Sequence, residues 1–279
     1  MRVGKIFGIA VLAIAATISA GAAQAQKVKI ATEGAYAPWN FVNTKGQLEG
    51  FEIDLAKELC KRAKLECEVV QQDWDGIIPS LLAKKYDVIM AGMNITPKRK
   101  ETIDFSIAYA GGPHGFMALK GSGLEKMPGG DANLSKDEKG AEALIAKIKP
   151  MLKGKVIGVQ GSTTNSNFAE KYFKDVAEVR LYKTTEQHDL DLASGRVDVL
   201  VAAHSAFKAT MDTPTGKDMV IVGPAFSGGL LGLGVACGVR KEDTALRDKL
   251  TAAVESAKKD GTIKTLSMKW FKIDMTPKG

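Results

Sequence analysis

A carboxylate set among aromatic rings is a receptor for a cation, and the chain carries one at Glu33, in TEGAYAPWNF with Tyr36, Pro38 and Trp39. Charge pairing and ring faces act together there, a desolvated ring adding about 0.5–2 kcal/mol. The same pattern also describes a surface glutamate beside a packing tyrosine. Arg99 lies in the first turn of a short helix opened by Thr96-Pro97. Its planar five-donor fork suits a carboxylate bidentately, although a lone arginine more often serves as a surface ion-pair partner. Trp74 heads the same stretch, DWDGIIPSLLAKKYDVIMAGMNITPKRKETIDFS (73–106), and offers a flat apolar wall. Gly161-Ser162-Thr163-Thr164 precedes a helix, so its N–H groups and hydroxyls either gather an anion or simply cap that helix. Together these residues suit recognition of a small molecule bearing both a cation and a carboxylate.

Catalysis has less support. His114, His188 and His204 have no ligand-like spacing, so neither a histidine metal site nor a cofactor is expected. The chain has no G-x-S-x-G elbow, H-E-x-x-H or Walker loop. Gly232-x-Gly234-x-x-Cys237 lacks the third glycine of a dinucleotide fingerprint and precedes a strand rather than a helix.

The elements that must hold these residues alternate between strand and helix. Lys27–Ala31 reads as a strand, Phe51–Ala63 as a helix with Phe51, Leu55 and Leu59 inward and Glu52 on the other side, and Cys67–Gln71 as a strand. A helix capped by Asp75 with Ile77, Ile78, Leu81 and Leu82 inward follows, then a strand over Asp87–Ala91. Such alternation predicts an α/β fold with a parallel sheet, whose loops at the strands' carboxyl ends hold ligands. A second block starts at Lys155, with strands VIGVQ, Val179–Tyr182 and Val197–Ala202 and helices over Asn167–Phe173 and Thr185–Ala193. Two glycine-rich stretches, AYAGGPHGFMALKG and IVGPAFSGGLLGL, separate the blocks. They predict two lobes joined by two crossings: 26–112 with 224–279 as a discontinuous first lobe, 113–223 as the second, and hinges near 109–114 and 223–228. Residues 121–153 read as an insertion ending in a charged helix over about Lys136–Lys149. The closing helices start at Asp243 and Ile263.

The first 25 residues read as a secretory signal peptide: basic Arg2 and Lys5, an apolar run over Ile6–Ala16, and an A-x-A site ending at Ala25. An exported, periplasmic protein of about 250 residues is expected, with no membrane span and no lipid anchor. Net charge is +7, spread over mixed signs without a basic run, which argues against nucleic acid. Of three cysteines, Cys60 and Cys67 lie in CKRAKLEC, either as a disulfide tying helix to strand or as two reduced core thiols. Cys237 reads as a buried free thiol.

The motifs IATEGAYAPWNF, GFEIDLAKELCKR, residues 73–106, GVQGST, GRVDV and DGTIKTLSMKWF, in that order, resemble the polar amino-acid-binding family of periplasmic solute-binding proteins of ABC importers. The resemblance spans essentially the whole chain after the signal peptide. It implies the type II periplasmic binding protein fold and a Cys60–Cys67 disulfide. Glu33 falls where the family takes the ligand's cationic side chain, and Tyr36 and Trp74 where it sandwiches that side chain. Ala91, Gly92 and Asn94 match contact positions after the third strand, and Gln160 and Ser162 belong to the matching GVQGST motif. Arg99 matches the α-carboxylate clamp, and Thr163 the residue that assists it from the second lobe. One departure stands out: the acid that faces the α-ammonium is replaced at about Ala203, with His204 and Ser205 beside it. With the 121–153 segment, this resembles the opine-binding branch, whose ligands are arginine derivatives with a substituted α-nitrogen and an extra carboxylate, a group that Ser205, Asn165 or His204 would receive. The resemblance thus implies a monomeric, cofactor-free binding protein serving an inner-membrane ABC permease. Two rivals are a receptor for an ordinary basic amino acid and an enzyme similar to exported cyclohexadienyl dehydratases, for which His204 is the proton-transfer candidate.

Overall fold

The computed structural model describes residues 26–277, so the signal peptide and its cleavage at Ala25 lie outside the described residues. The chain opens with β1 (Gln26–Thr32). A small antiparallel ribbon follows: β2 (Ala35–Tyr36), β3 (Asn40–Val42) and β4 (Leu48–Glu49). Next come α1 (Phe51–Ala63), β5 (Leu65–Gln71), α2 (Ile77–Leu82), β6 (Val88–Ile89), α3 (Pro97–Lys100) and β7 (Ile103–Phe105). The second lobe holds β8 (His114–Leu119), β9 (Asp131–Asn133), α4 (Glu138–Leu152), β10 (Val156–Gln160), α5 (Thr164–Phe173), β11 (Glu178–Tyr182), α6 (Thr185–Ala193), β12 (Val199–Ala203), α7 (His204–Met211) and β13 (Met219–Ser227). The chain then returns to the first lobe as β14 (Gly238–Arg240), α8 (Thr244–Lys259) and α9 (Thr262–Phe271).

Each lobe is a sheet with helices packed on it. The first sheet has the order β5-β1-β6-β14-β7, parallel through β5, β1 and β6 and antiparallel at β14. The second has the order β11-β10-β12-β8-β13-β9. Phe51, Leu55, Tyr109 and Val254 anchor the core on one face of the first sheet, and Ile77, Leu81, Ile89 and Met93 the other. In the second lobe Phe116, Phe168, Phe173 and Phe226 interlock. Helix α1 illustrates local agreement: an apolar stripe faces inward, Glu52 and Asp54 sit in its first turn, Lys61 and Arg62 in its last, and Lys64 closes it in the left-handed region. Each charge opposes the helix dipole. The carboxyl ends of β1, β6, β10 and β12 deliver Glu33, then Ala91, Gly92 and Asn94, then Thr163 and Thr164, then Ala203 and Ser205 to one cleft between the lobes, as open α/β sheets do.

Several expectations shift. Asp75 does not cap α2; it lies in a single 3-10 turn, and Gly76 precedes the helix. Leu82 faces solvent, at 44% exposure, because α2 ends there. Helix α7 follows β12 directly, although Ala203 supplies no side-chain cap. The 121–153 segment is woven into the second lobe: β9 extends the sheet along β13, and Ile145, Ile148 and Leu152 of α4 enter its core. The return crossing falls later than residue 224. Gly223 and Pro224 form an irregularity inside β13, whose register shifts between Val222 and Phe226. Ala225–Ser227 still pair with β9, and Leu231 packs in the second core, whereas Leu233 bonds to Ile95 of the first lobe.

Cys60 and Cys67 form a disulfide between α1 and β5, and Cys237 is a buried free thiol. Closing so short a loop stabilises the native state by about 2–3 kcal/mol on the chain-entropy estimate. The Cys60→Ser/Cys67→Ser protein should therefore unfold at lower urea with an unchanged ligand affinity. An unmoved urea midpoint would show that the bridge is stabilising nothing.

Candidate functional site

Glu33 leaves the end of β1 and is 4% exposed. Its carboxylate accepts a 2.6 Å hydrogen bond from Gln160 Nε2, contributed by β10 of the opposite lobe. The same amide nitrogen donates to Lys183 O at 3.0 Å. Burial pushes the Glu33 carboxyl up to about 7, and the negative Glu52, Asp73 and Asp75 add to the rise while the Gln160 bond opposes it. Tyr36 lies nearly parallel to Trp39, with planes 6° apart and centroids at 6.2 Å. Gly92, at φ +63°, packs so closely on the Tyr36 ring that a Cβ would sit 2.8 Å from its edge. Only glycine combines that backbone with that approach.

Glu52, expected on the polar side of α1, is 1% exposed and ties this wall together. It accepts from Asn40 Nδ2 at 2.6 Å, from Gly92 N at 2.8 Å and from the Tyr109 hydroxyl. Asn40 in turn accepts from Gly34 N at 2.8 Å, beside Glu33. The sequence could not show this, because every partner lies at least twelve residues away.

Arg99 extends along the other side of the cleft. Its Nη1 donates to Asn94 O at 3.0 Å, and its guanidinium carbon lies 5.2 Å from the centre of the Trp74 ring. Thr96 caps α3 by accepting from Arg99 N. Burial lowers Arg99 to about 10, which leaves it cationic at neutral pH. The remaining guanidinium donors have no protein acceptor among the described hydrogen bonds, so the fork is available to an anion. Trp74, Tyr36, Ala91, Gly92 and Asn94 all line the cleft.

The second lobe supplies the facing wall. Thr163 is committed to its helix: its hydroxyl donates to Gln160 O at 2.7 Å and accepts from Ser166 N, while its own N–H goes to Ser166 Oγ. That reciprocal cap leaves Thr164 and Asn165, also on the cleft, as the polar groups of this turn. Ser162 contributes its carbonyl, which accepts from Trp74 Nε1 at 3.2 Å, and does not line the cleft. Ala203 and Ser205 do, and Ser205 Oγ accepts from Trp39 Nε1 at 3.1 Å. His204 does not: its ring abuts Gly115 and tilts over Phe207. Both roles expected of it, ligand contact and proton transfer, would require it to reach the cleft. His114, passed over in the sequence, lines the cleft with Nδ1 2.8 Å from Asn165 Oδ1, and burial pushes it down to about 4, so it is neutral. Thr185, His188 and Met275 also line the cleft. Among the described lining residues Glu33 is the one acid and Arg99 the one permanent cation. Among the described residues four side-chain hydrogen bonds cross between the lobes: Gln160 to Glu33, Trp39 to Ser205, Trp74 to Ser162 and, at 3.5 Å, Thr185 to Ala35 O. Among the described residues no cluster of His, Cys, Asp or Glu could hold a metal, and no helix is long and apolar enough to cross a membrane.

Comparison with known proteins agrees with this architecture. The profile of the bacterial extracellular solute-binding proteins, family 3, matches residues 28–273. The octopine-binding periplasmic protein of Rhizobium meliloti is 46% identical, covering 99% of this chain and 100% of its own length. The histidine-binding periplasmic protein of Salmonella typhimurium is 36% identical over 95% of each chain. The crystal structure of a periplasmic His/Glu/Gln/Arg/opine family-binding protein from Silicibacter pomeroyi in complex with lysine is 32% identical. It superposes with a TM-score of 0.73 over 90% of this chain and 100% of its own.

Proposed function

The chain belongs to the bacterial extracellular solute-binding proteins, family 3, and from that membership we propose that it captures an arginine-derived opine and delivers it to an ABC permease. In this reading Glu33 receives the cationic end between Tyr36 and Trp74, and Arg99 clamps a carboxylate with the free turn at Thr164 assisting. Ala91, Gly92, Asn94 and Gln160 complete the contacts around the ligand. The lobes close about crossings near residues 109–114 and 228–234, which are short and glycine-rich. Closure is driven by a ligand that touches both walls and so favours the closed state.

The observation that carries the opine reading is the wall at Ala203. A free α-ammonium held there would face a methyl group rather than an acid, and an unpaired buried ammonium costs several kcal/mol. A substituted α-nitrogen bearing an acidic arm asks less of that wall, and Asn165, Ser205 and the His114 ring lie around it to receive the arm's carboxylate. The octopine-binding relative supports the same ligand class. The protein is read as exported to the periplasm, cleaved near Ala25, monomeric and without catalytic activity.

A thermal-shift series on refolded, ligand-free protein tests this. Octopine and nopaline should raise Tm more than arginine, lysine or histidine at equal concentration, since the shift follows occupancy. A large shift with arginine and none with either opine would replace this reading with a receptor for an ordinary basic amino acid. Because Glu33 titrates near neutrality, a group suited to proton transfer, prephenate and arogenate belong in a parallel turnover assay. Turnover of either would make the protein an enzyme.

A further inference from the structure

Helix α6 begins at the Glu33 end of the cleft. Lys183 O, just before it, accepts from the Gln160 amide that also holds Glu33. Thr185 and His188 are three residues apart, hence neighbours on one helical face, and both line the cleft. The Thr185 hydroxyl lies 3.5 Å from Ala35 O, two residues beyond Glu33. His188 is therefore part of the wall around the cation subsite.

His188 is 1% exposed, and neither ring nitrogen has a hydrogen-bond partner. Asp189 Oδ1 lies 3.0 Å from Nδ1 but out of line for a bond, and the other Asp189 oxygen accepts from Thr210 Oγ1 at 2.7 Å. Tyr182 meets the ring edge-on, with centroids 6.1 Å apart. A buried polar group without a partner is costly, and native structures leave few of them. A neutral imidazole carries one N–H donor and one acceptor nitrogen, so an unpartnered ring has one lone pair to offer a ligand N–H.

We propose that His188 is a specificity-determining residue that accepts an N–H from a guanidinium, so that the cleft prefers a guanidinium to an ammonium at the ligand's cationic end. This rests on the reading of Glu33 as the cation receptor. A guanidinium presents five donors in one plane, and a single carboxylate takes two of them, leaving donors for the opposite wall. An ammonium has three donors on one compact nitrogen and cannot span from Glu33 to α6 in the same way. A buried acceptor built for a ligand N–H rejects the analogue that fails to supply it.

The test is calorimetry of arginine, lysine and octopine with wild type, His188→Leu and His188→Gln. Wild type should bind the two guanidinium ligands more tightly than lysine. His188→Leu should weaken both by about 10–100-fold, the range for a hydrogen bond to a charged group, while lysine changes by less than about threefold. His188→Gln, which keeps an acceptor, should recover part of the preference. The ligand-free Tm of each variant separates this from unfolding, and the glutamine variant carries the test if the leucine variant fails to fold. An unchanged guanidinium-to-lysine ratio, or tighter arginine binding by His188→Leu, would overturn the proposal while leaving Glu33's role intact. If wild type binds none of the three ligands, the cation reading of Glu33 falls first and the role of His188 with it.

Discussion

Arg99→Ala is expected to abolish measurable binding, with a loss of about a hundredfold or more for every carboxylate-bearing ligand. Truncating one member of a buried, hydrogen-bonded charge pair costs about 2–5 kcal/mol, because the surviving charge is left without a partner. The cleft offers no substitute: Arg99 is its one permanent cation among the described lining residues, and His114 is held neutral by burial. The guanidinium is also pre-positioned, with one nitrogen on Asn94 O and its face on Trp74. Arg99→Lys keeps the charge but loses the fork, so it should recover only part of the affinity. Neither change touches the core, since Arg99 lies on the short α3 at the cleft edge. Calorimetry with the best ligand decides the matter, and an alanine variant that binds within a few-fold of wild type would sink the assignment.

Glu33→Gln should remove the preference for cationic ligands and, with it, the pH dependence of binding. In the ligand-free protein burial holds the Glu33 carboxyl near 7, well above its ordinary value. The sign follows from that direction. A carboxyl whose native pKa is raised favours the folded state below its unfolded pKa, and that contribution is lost as pH rises through about 7. A bound cation reverses the preference by favouring the ionised form. Affinity should therefore be flat above about pH 7.5 and fall by about tenfold per unit below 7. The fall ends at the lower pKa that Glu33 adopts in the complex. Binding at pH 5 would be on the order of a hundredfold weaker than at pH 8. Calorimetry from pH 5 to 8 in buffers of different ionisation enthalpy should also detect proton release on binding near pH 6.5. A wild-type profile that is flat across this range would remove Glu33 from the cation subsite.

The sequence made local features legible and left the distant ones hidden. Helix α1 and helix α6 fell where periodicity and flanking turn residues placed them, since both signals are written within a dozen residues. Glu33, Tyr36, Trp74 and Arg99 stood out because residue type and strand-end position carry their chemistry. The exact duty of the Gly161–Thr164 turn did not, because whether Thr163 caps its helix or faces a ligand depends on Ser166 and Gln160. Glu52 and His188 read as solvated or incidental, because a polar residue on a helix shows its burial only once another part of the chain is laid over it. The crossing at Gly223-Pro224 misled for a physical reason. Glycine at positive φ followed by proline marks a turn, yet here it bends a strand that continues to Ser227.

All three tryptophans belong to the first lobe, and two of them bond across the cleft. The indole nitrogens of Trp39 and Trp74 are bonded to Ser205 and Ser162 across the cleft, whereas that of Trp270 is bonded to Asp54 within the first lobe. When the lobes part, two indoles exchange a protein acceptor for water and the third keeps its surroundings. Intrinsic fluorescence can thus follow closure in the unlabelled protein, with Trp270 as the invariant background against which the other two emit.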